Sequence, residues 1–150
     1  LAIEYQLKFA AGVELRELAE TLRGAGFADT ASPRTFQGEG VTATLGGDSD
    51  RFGRWQALGF APQVEVFFGL DRMADEEEAI AAMVDAVAAL LAAVPADAAM
   101  THDNEIVLLL RQRGELVLTN RHDWWTRPAY HPALAQRLGE DYRLEPLPVI

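Results

Sequence analysis

The sequence predicts an α+β fold, a mostly antiparallel sheet with two main helices packed on one face, and three patterns carry that prediction. Ile3, Tyr5, Leu7 and Phe9 alternate with Glu4, Gln6 and Lys8, the period of a strand with one buried and one wet face. Ile80, Met83, Val84, Val87, Leu90, Leu91 and Val94 recur at helical spacing and share one face over successive turns. Residues 106–110 and 115–119 are apolar runs flanking the turn Gln112-Arg113-Gly114, the pattern of a hairpin. With the elements between them the order reads β-α-β-β-α-β-β-β, in which two helices cover one face of the sheet.

After the first strand, Gly12 breaks the alternation. Leu15, Leu18, Ala19 and Leu22 then give a short amphipathic helix with Glu14, Arg16, Glu17, Glu20 and Arg23 outward. Gly24 or Gly26 is placed to stop it, since glycine accepts the left-handed conformation common past a helix end. Residues 28–40 are turn-rich, with Pro33 and Gly38, and 41–45 read as a short strand ended by Gly46-Gly47-Asp48. Residues 49–61 are the least regular stretch and carry Arg51, Phe52, Arg54, Trp55 and Phe60. A loop this long suits a binding role, and the competing expectation is that its aromatics fold back to cap the core edge.

Residues 64–68 form a strong strand leading to the central helix, whose first turn gathers Asp75, Glu76, Glu77 and Glu78 against the positive end of the helix dipole. Pro95 closes that helix, and 98–100 give a further short strand. The first arm of the hairpin is apolar on both faces, as in a central strand or a sheet covered on both sides. Residues 120–132 hold Trp124, Trp125 and Tyr130 between the breakers Pro128 and Pro132; Leu134 and Leu138 suggest one or two helical turns, and prolines keep 142–148 extended. The non-core positions of the central helix, Ala81, Ala82, Ala86, Ala88, Ala89, Ala92 and Ala93, raise helix propensity. A smooth alanine face also suits close packing against another helix, of this chain or of a second copy, so a homodimer is one candidate assembly.

Composition narrows the class. A chain of 150 residues, 49% hydrophobic, can bury one ordinary core, so residues 1–150 are expected to be a single domain. The net charge of −10, from 23 acidic and 13 basic residues, disfavours nucleic acid and anionic membranes as partners. The absence of cysteine removes disulfides, zinc ribbons and thiol catalysis. No basic segment leads into an apolar run at the amino end, and the apolar segment 79–94 is too short to span a bilayer, so a cytoplasmic protein is expected. Gly38-Glu39-Gly40 and Gly46-Gly47-Asp48 punctuate turns rather than opening a helix as a phosphate loop must, and no cofactor motif is present.

Folding the hairpin about Gly114 brings residues 103–105 opposite 121–123, gathering His102, Asp103, Glu105, Arg121, His122 and Asp123 beside Trp124 and Trp125. Two histidines and several carboxylates suit a divalent metal, which gives one alternative, a small metal-dependent hydrolase using His102, Asp103, His122 and Asp123. Adjacent strand residues point to opposite faces, however, and no established ligand spacing is present. The cluster suits a protein-binding edge better, since Trp, Tyr and Arg most often carry interface energy and surrounding acids aid encounter with a basic partner. The partner-binding candidates are accordingly Arg51, Arg54, Trp55, Asp103, Glu105, His122, Asp123, Trp124 and Trp125, with no catalytic or metal-ligating residue among them; the competing expectation, favoured for at least one of Trp124 and Trp125, is that the indole seals the end of the core. A third alternative is a small-molecule site between the sheet and residues 49–61.

The opening strand Ile3-Glu4-Tyr5-Gln6-Leu7, the acidic start of the alanine-rich helix and the hairpin from Asn104 through Gly114 to Leu118 resemble one known family. Trp124-Trp125 and the closing Tyr142-Arg143-Leu144-Glu145-Pro146-Leu147 extend the likeness, which is to the swarming-inhibition-toxin immunity proteins of bacteria. The resemblance implies a cytoplasmic, non-enzymatic protein that neutralises a cognate polymorphic toxin, with no catalytic residues and no cofactor. The acidic balance is what an inhibitor of a basic toxin would use.

Overall fold

A computed structural model describes residues 3–126 and 134–150. Strand β1 (Ile3–Phe9) lies near the middle of a nine-stranded sheet. On one side of it follow β5 (Val64–Leu70), β4 (Val41–Gly47), β3 (Thr35–Gln37) and β2 (Ala28–Asp29). On the other lie β6 (Ala98–His102), β7 (Ile106–Gln112), β8 (Glu115–Thr119) and β9 (Arg143–Glu145). Every pairing is antiparallel except β8 with β9. The fold is thus the predicted α+β architecture. The strands β2, β3 and β9 were not anticipated: the first two are only two and three residues long, too short for a period to register, and β9 falls where proline had suggested merely extended chain.

One face of the sheet carries the helices. Helix α1 (Leu15–Gly24) buries Leu18, Ala19 and Leu22, and Gly26, at φ 93°, turns the chain away after it. Helix α2 (Glu76–Ala93) begins with the Asp75 carboxylate accepting the Glu78 amide at 3.0 Å. It buries Ile80, Met83, Val84, Val87, Leu90 and Leu91 against Tyr5, Leu7, Phe9, Val66 and Phe68, at about 1.5–3 kcal/mol per fully buried apolar side chain. The short α3 (Leu134–Arg137) also packs against it, with Arg137 paired to Asp85 at 2.9 Å. Ala79 and Ala86 are buried and Ala82 and Ala88 pack against the core, so small residues let α2 sit within the helical layer with neighbours from its own chain. Pro128, Tyr130 and Pro132 lie outside the described residues.

Arg111, 6% exposed on β7, closes the other end of α2. Its guanidinium donates to Leu91 O at 2.8 Å, to Ala96 O at 2.8 and 3.0 Å, and to Val94 O. Carbonyls that a helix end leaves unpaired are thereby satisfied by a cation at the negative pole of the dipole.

The second face departs from the alternation of β1. Gln6 is fully buried and Lys8 is 7% exposed, where the sequence suggested a wet face. Gln6 Oε1 accepts from Thr101 Oγ1 at 2.7 Å and from the Asn104 amide at 2.8 Å, and Lys8 pairs with Asp48 at 2.5 Å and Glu65 at 3.3 Å. The cause is a lid that alternation cannot report. Trp55 and Phe60 from the 49–61 loop pack with Ala99, Val107, Leu110, Val117 and Leu147 into a second, smaller core on this face. The β7 strand is therefore covered on both sides, as its apolar run suggested.

Candidate functional site

Two grooves flank the turn between β6 and β7. That turn, residues 103–105, uses Asp103 (φ 53°) and Asn104 (φ 59°), two residue types that tolerate the left-handed region. Pairing of Leu109 with Leu118 then carries the chain after β8 back to the same end of the sheet, where His122 (φ 60°) and Asp123 (φ 50°) are also left-handed. Such conformations cost of order 1 kcal/mol or more each and persist only where the surroundings impose them.

The first groove, of about 370 Å3, opens between these turns and the start of α2. Its walls are Ile3, Tyr5, Ile106, Leu108 and Trp124, with Glu76, His102, Arg121 and His122 completing it. The Tyr5 and His102 rings stack at 4.7 Å, and Trp124 meets Tyr5 edge-on at 5.6 Å with Nε1 donating to Tyr5 Oη at 3.4 Å. Behind it Trp125 is 1% exposed and donates Nε1 to Leu108 O at 2.7 Å. Arg121 is held by a 2.8 Å bond from Nε to Leu147 O.

The second groove, about 640 Å3, lies over the other face of the sheet, bounded by Lys8, Asp48, Asp50, Arg51, Phe52, Arg54, Trp55, Gln63 and Asn104. The Asp50 carboxylate accepts the Trp55 amide at 3.2 Å, which folds the loop so that the indole turns inward. Phe52 stays 74% exposed with the Arg54 guanidinium 5.5 Å above its ring. Beneath, burial raises the Glu65 carboxyl above its ordinary pKa, with Asp48 adding to the rise and Lys8 opposing it.

The predicted site residues thus fall into two groups. Arg51 and Arg54 are exposed on the second groove; Asp103, Glu105, His122 and Asp123 are exposed around the first. The indoles are placed otherwise. Trp55, Trp124 and Trp125 are at most 5% exposed, so they brace the grooves from behind and a truncation there acts on folding first. Among the described residues no three His, Asp or Glu side chains are grouped to hold a metal, and His102 approaches Asp103 at 3.5 Å.

The sequence reading missed Ile3, Tyr5 and Glu76 at the first groove and Lys8 and Asp48 at the second, because strand register and helix packing bring them in from distant positions. It also missed how charge is distributed. The turns at the end of the sheet that holds the first groove carry Glu39, Asp71, Asp75, Glu76, Glu77, Glu78, Asp103, Glu105 and Asp123, all exposed, against Arg72 and Arg121.

No curated protein and no solved structure matches the chain. A family model does: the SitI3-like model matches residues 3–129, taking in α1, α2 and every strand from β1 to β8, together with both grooves. On the strength of that match the chain belongs to the SitI3-like family.

Proposed function

We propose that this protein is an immunity protein, a non-enzymatic inhibitor that binds and neutralises a cognate bacterial polymorphic toxin. The observation that carries the reading is the family match over residues 3–129. The exposed members of the two groups, Arg51 and Arg54 on one groove and Asp103, Glu105, His122 and Asp123 around the other, would make the contacts. Trp55, Trp124 and Trp125 would hold those surfaces in shape. The reading takes residues 1–150 as one domain working in the cytoplasm; among the described residues no helix is long and apolar enough to cross a membrane. Co-expression with the toxin domain encoded beside it tests the proposal. Survival of the host and a stable complex are expected, and neither protection nor a complex would overturn it.

The 640 Å3 groove supports a second reading, a small-ligand site between sheet and loop, because its volume lies in the range of such pockets. A ligand held there would raise the melting temperature, since binding only the native state stabilises it. A thermal-shift screen that finds no ligand class would remove this reading without touching the first.

A further inference from the structure

Several acids elsewhere on the molecule have an ion-pair partner. Asp29 pairs with Arg23 at 2.7 Å, Asp48 with Lys8 at 2.5 Å, Asp85 with Arg137 at 2.9 Å and Glu115 with Arg143 at 3.3 Å. The end of the sheet that bears the first groove gathers its exposed acids most densely. Among the described residues none of Glu76, Glu77, Glu78 or Glu105 has an ion-pair partner, and Asp103 has only His102. The helix dipole accounts for acids in the first turn of α2. It does not account for Asp103, Glu105 and Asp123, which stand on turns across the groove. Like charges gathered in excess over Arg72 and Arg121 repel one another and weaken the fold. At the centre of this negative field lies a concavity with apolar walls, open to solvent.

We infer that this acidic end is the docking face for a basic segment of the toxin, and that the 370 Å3 groove at its centre receives an apolar side chain from that segment. The inference rests on the immunity reading and gives that reading a surface and a partner chemistry. The occupant is fixed by complementarity: lysines or arginines meet Glu76, Asp103 and Glu105 on the rim, and an apolar anchor between them displaces water from Ile3, Ile106 and Trp124. Attraction from the exposed rim speeds encounter, and burial of the anchor slows release.

The test measures binding of the toxin domain encoded beside this protein, as affinity and as association rate against sodium chloride. Three variants are compared with the wild type, each checked by its unfolding transition. The first is Glu76→Gln/Asp103→Asn/Glu105→Gln; asparagine tolerates the left-handed position of residue 103. The second, Glu14→Gln/Glu17→Gln/Glu20→Gln, removes the same net charge from the surface of α1. The third, Ile3→Lys, places a cation in the groove wall.

The wild-type association rate should fall steeply with salt, the first variant should lose about tenfold in affinity or more with a flatter salt dependence, and the second should stay within about threefold. Ile3→Lys should weaken binding about tenfold. Equal losses in both triple variants, or a first variant within about threefold of wild type, would overturn the inference while leaving the immunity reading in place. A wild-type protein that neither protects nor binds would overturn the immunity reading, and the docking face with it.

Discussion

Replacing Arg111 by methionine removes a cation without removing much volume, and its cost can be worked from the contacts. The guanidinium makes four hydrogen bonds to three carbonyls, of Leu91, Val94 and Ala96, and lies 3.8 Å from Glu140 Oε2. Hydrogen bonds to a charged group each contribute about 1.5–3 kcal/mol, and a buried carbonyl left without a donor costs about 1–3. Those figures do not add, because Ala96 is only half-buried and water can reach it, and because methionine retains the packing of the stem. Against them stands the desolvation of the cation, which lowers the Arg111 pKa and which Glu140 and Asp97 offset.

Removing one member of a buried ionic contact typically costs about 3–5 kcal/mol, and partial solvent access sets this site near the lower limit, about 3 kcal/mol. For a chain of this length that corresponds to a fall in melting temperature of about 10 °C. Urea unfolding followed by circular dichroism measures it. Arg111→Lys keeps the charge but cannot span three carbonyls, so it should restore less than half of the loss. An Arg111→Met protein within about 1 kcal/mol of wild type would refute the claim that this side chain closes α2.

Three other outcomes are expected. Burial holds the Glu65 pKa above its ordinary value near 4.5, so the folded state binds this proton more tightly than the unfolded one; its contribution is fully present below that ordinary value and is lost as pH rises through the folded pKa. Glu65→Gln should therefore remove that loss, flattening the stability profile above about pH 4.5 in urea titrations at stepped pH. Gly40→Ala should destabilise by about 2–4 kcal/mol, because residue 40 sits at φ 70° and an added Cβ would lie 2.7 Å from Ala74 Cβ; calorimetric melting reads this directly. Trp125→Ala should cost about 3–5 kcal/mol in stability, and any loss of toxin binding should vanish when the folded fraction is held equal.

The sequence made legible whatever one element decides alone. The spacing of Ile80 to Val94 located α2, Asp75 marked its start, and the apolar runs around Gly114 located the hairpin. What escaped depended on elements meeting. The amphipathic pattern of β1 placed Gln6 and Lys8 in water because nothing in residues 3–9 records that a loop forty residues on covers that face. The indoles of Trp124 and Trp125 read as interface anchors because a large aromatic carries the same signal whether it faces a partner or its own core; only the bonds to Tyr5 and Leu108 separate the two cases. The acid cluster was visible as composition and invisible as a place, since its members come from four separate turns.

The parallel strand β9 has a consequence for when the molecule becomes competent. Residues 145–150 return across the sheet to the groove end: Asn120 donates to Glu145 O at 3.1 Å, Ile150 to Glu105 O at 2.9 Å, and Arg121 to Leu147 O. Strand β8 and the turn bearing Glu105 thus keep unpaired backbone groups until residues 143–150 have docked, whereas α2 and its sheet face need only residues 3–110 to pack. The groove end therefore depends on a distant segment to set. Cleavage within residues 143–150 should blunt recognition there by releasing the segment that holds Glu105, Asn120 and Arg121.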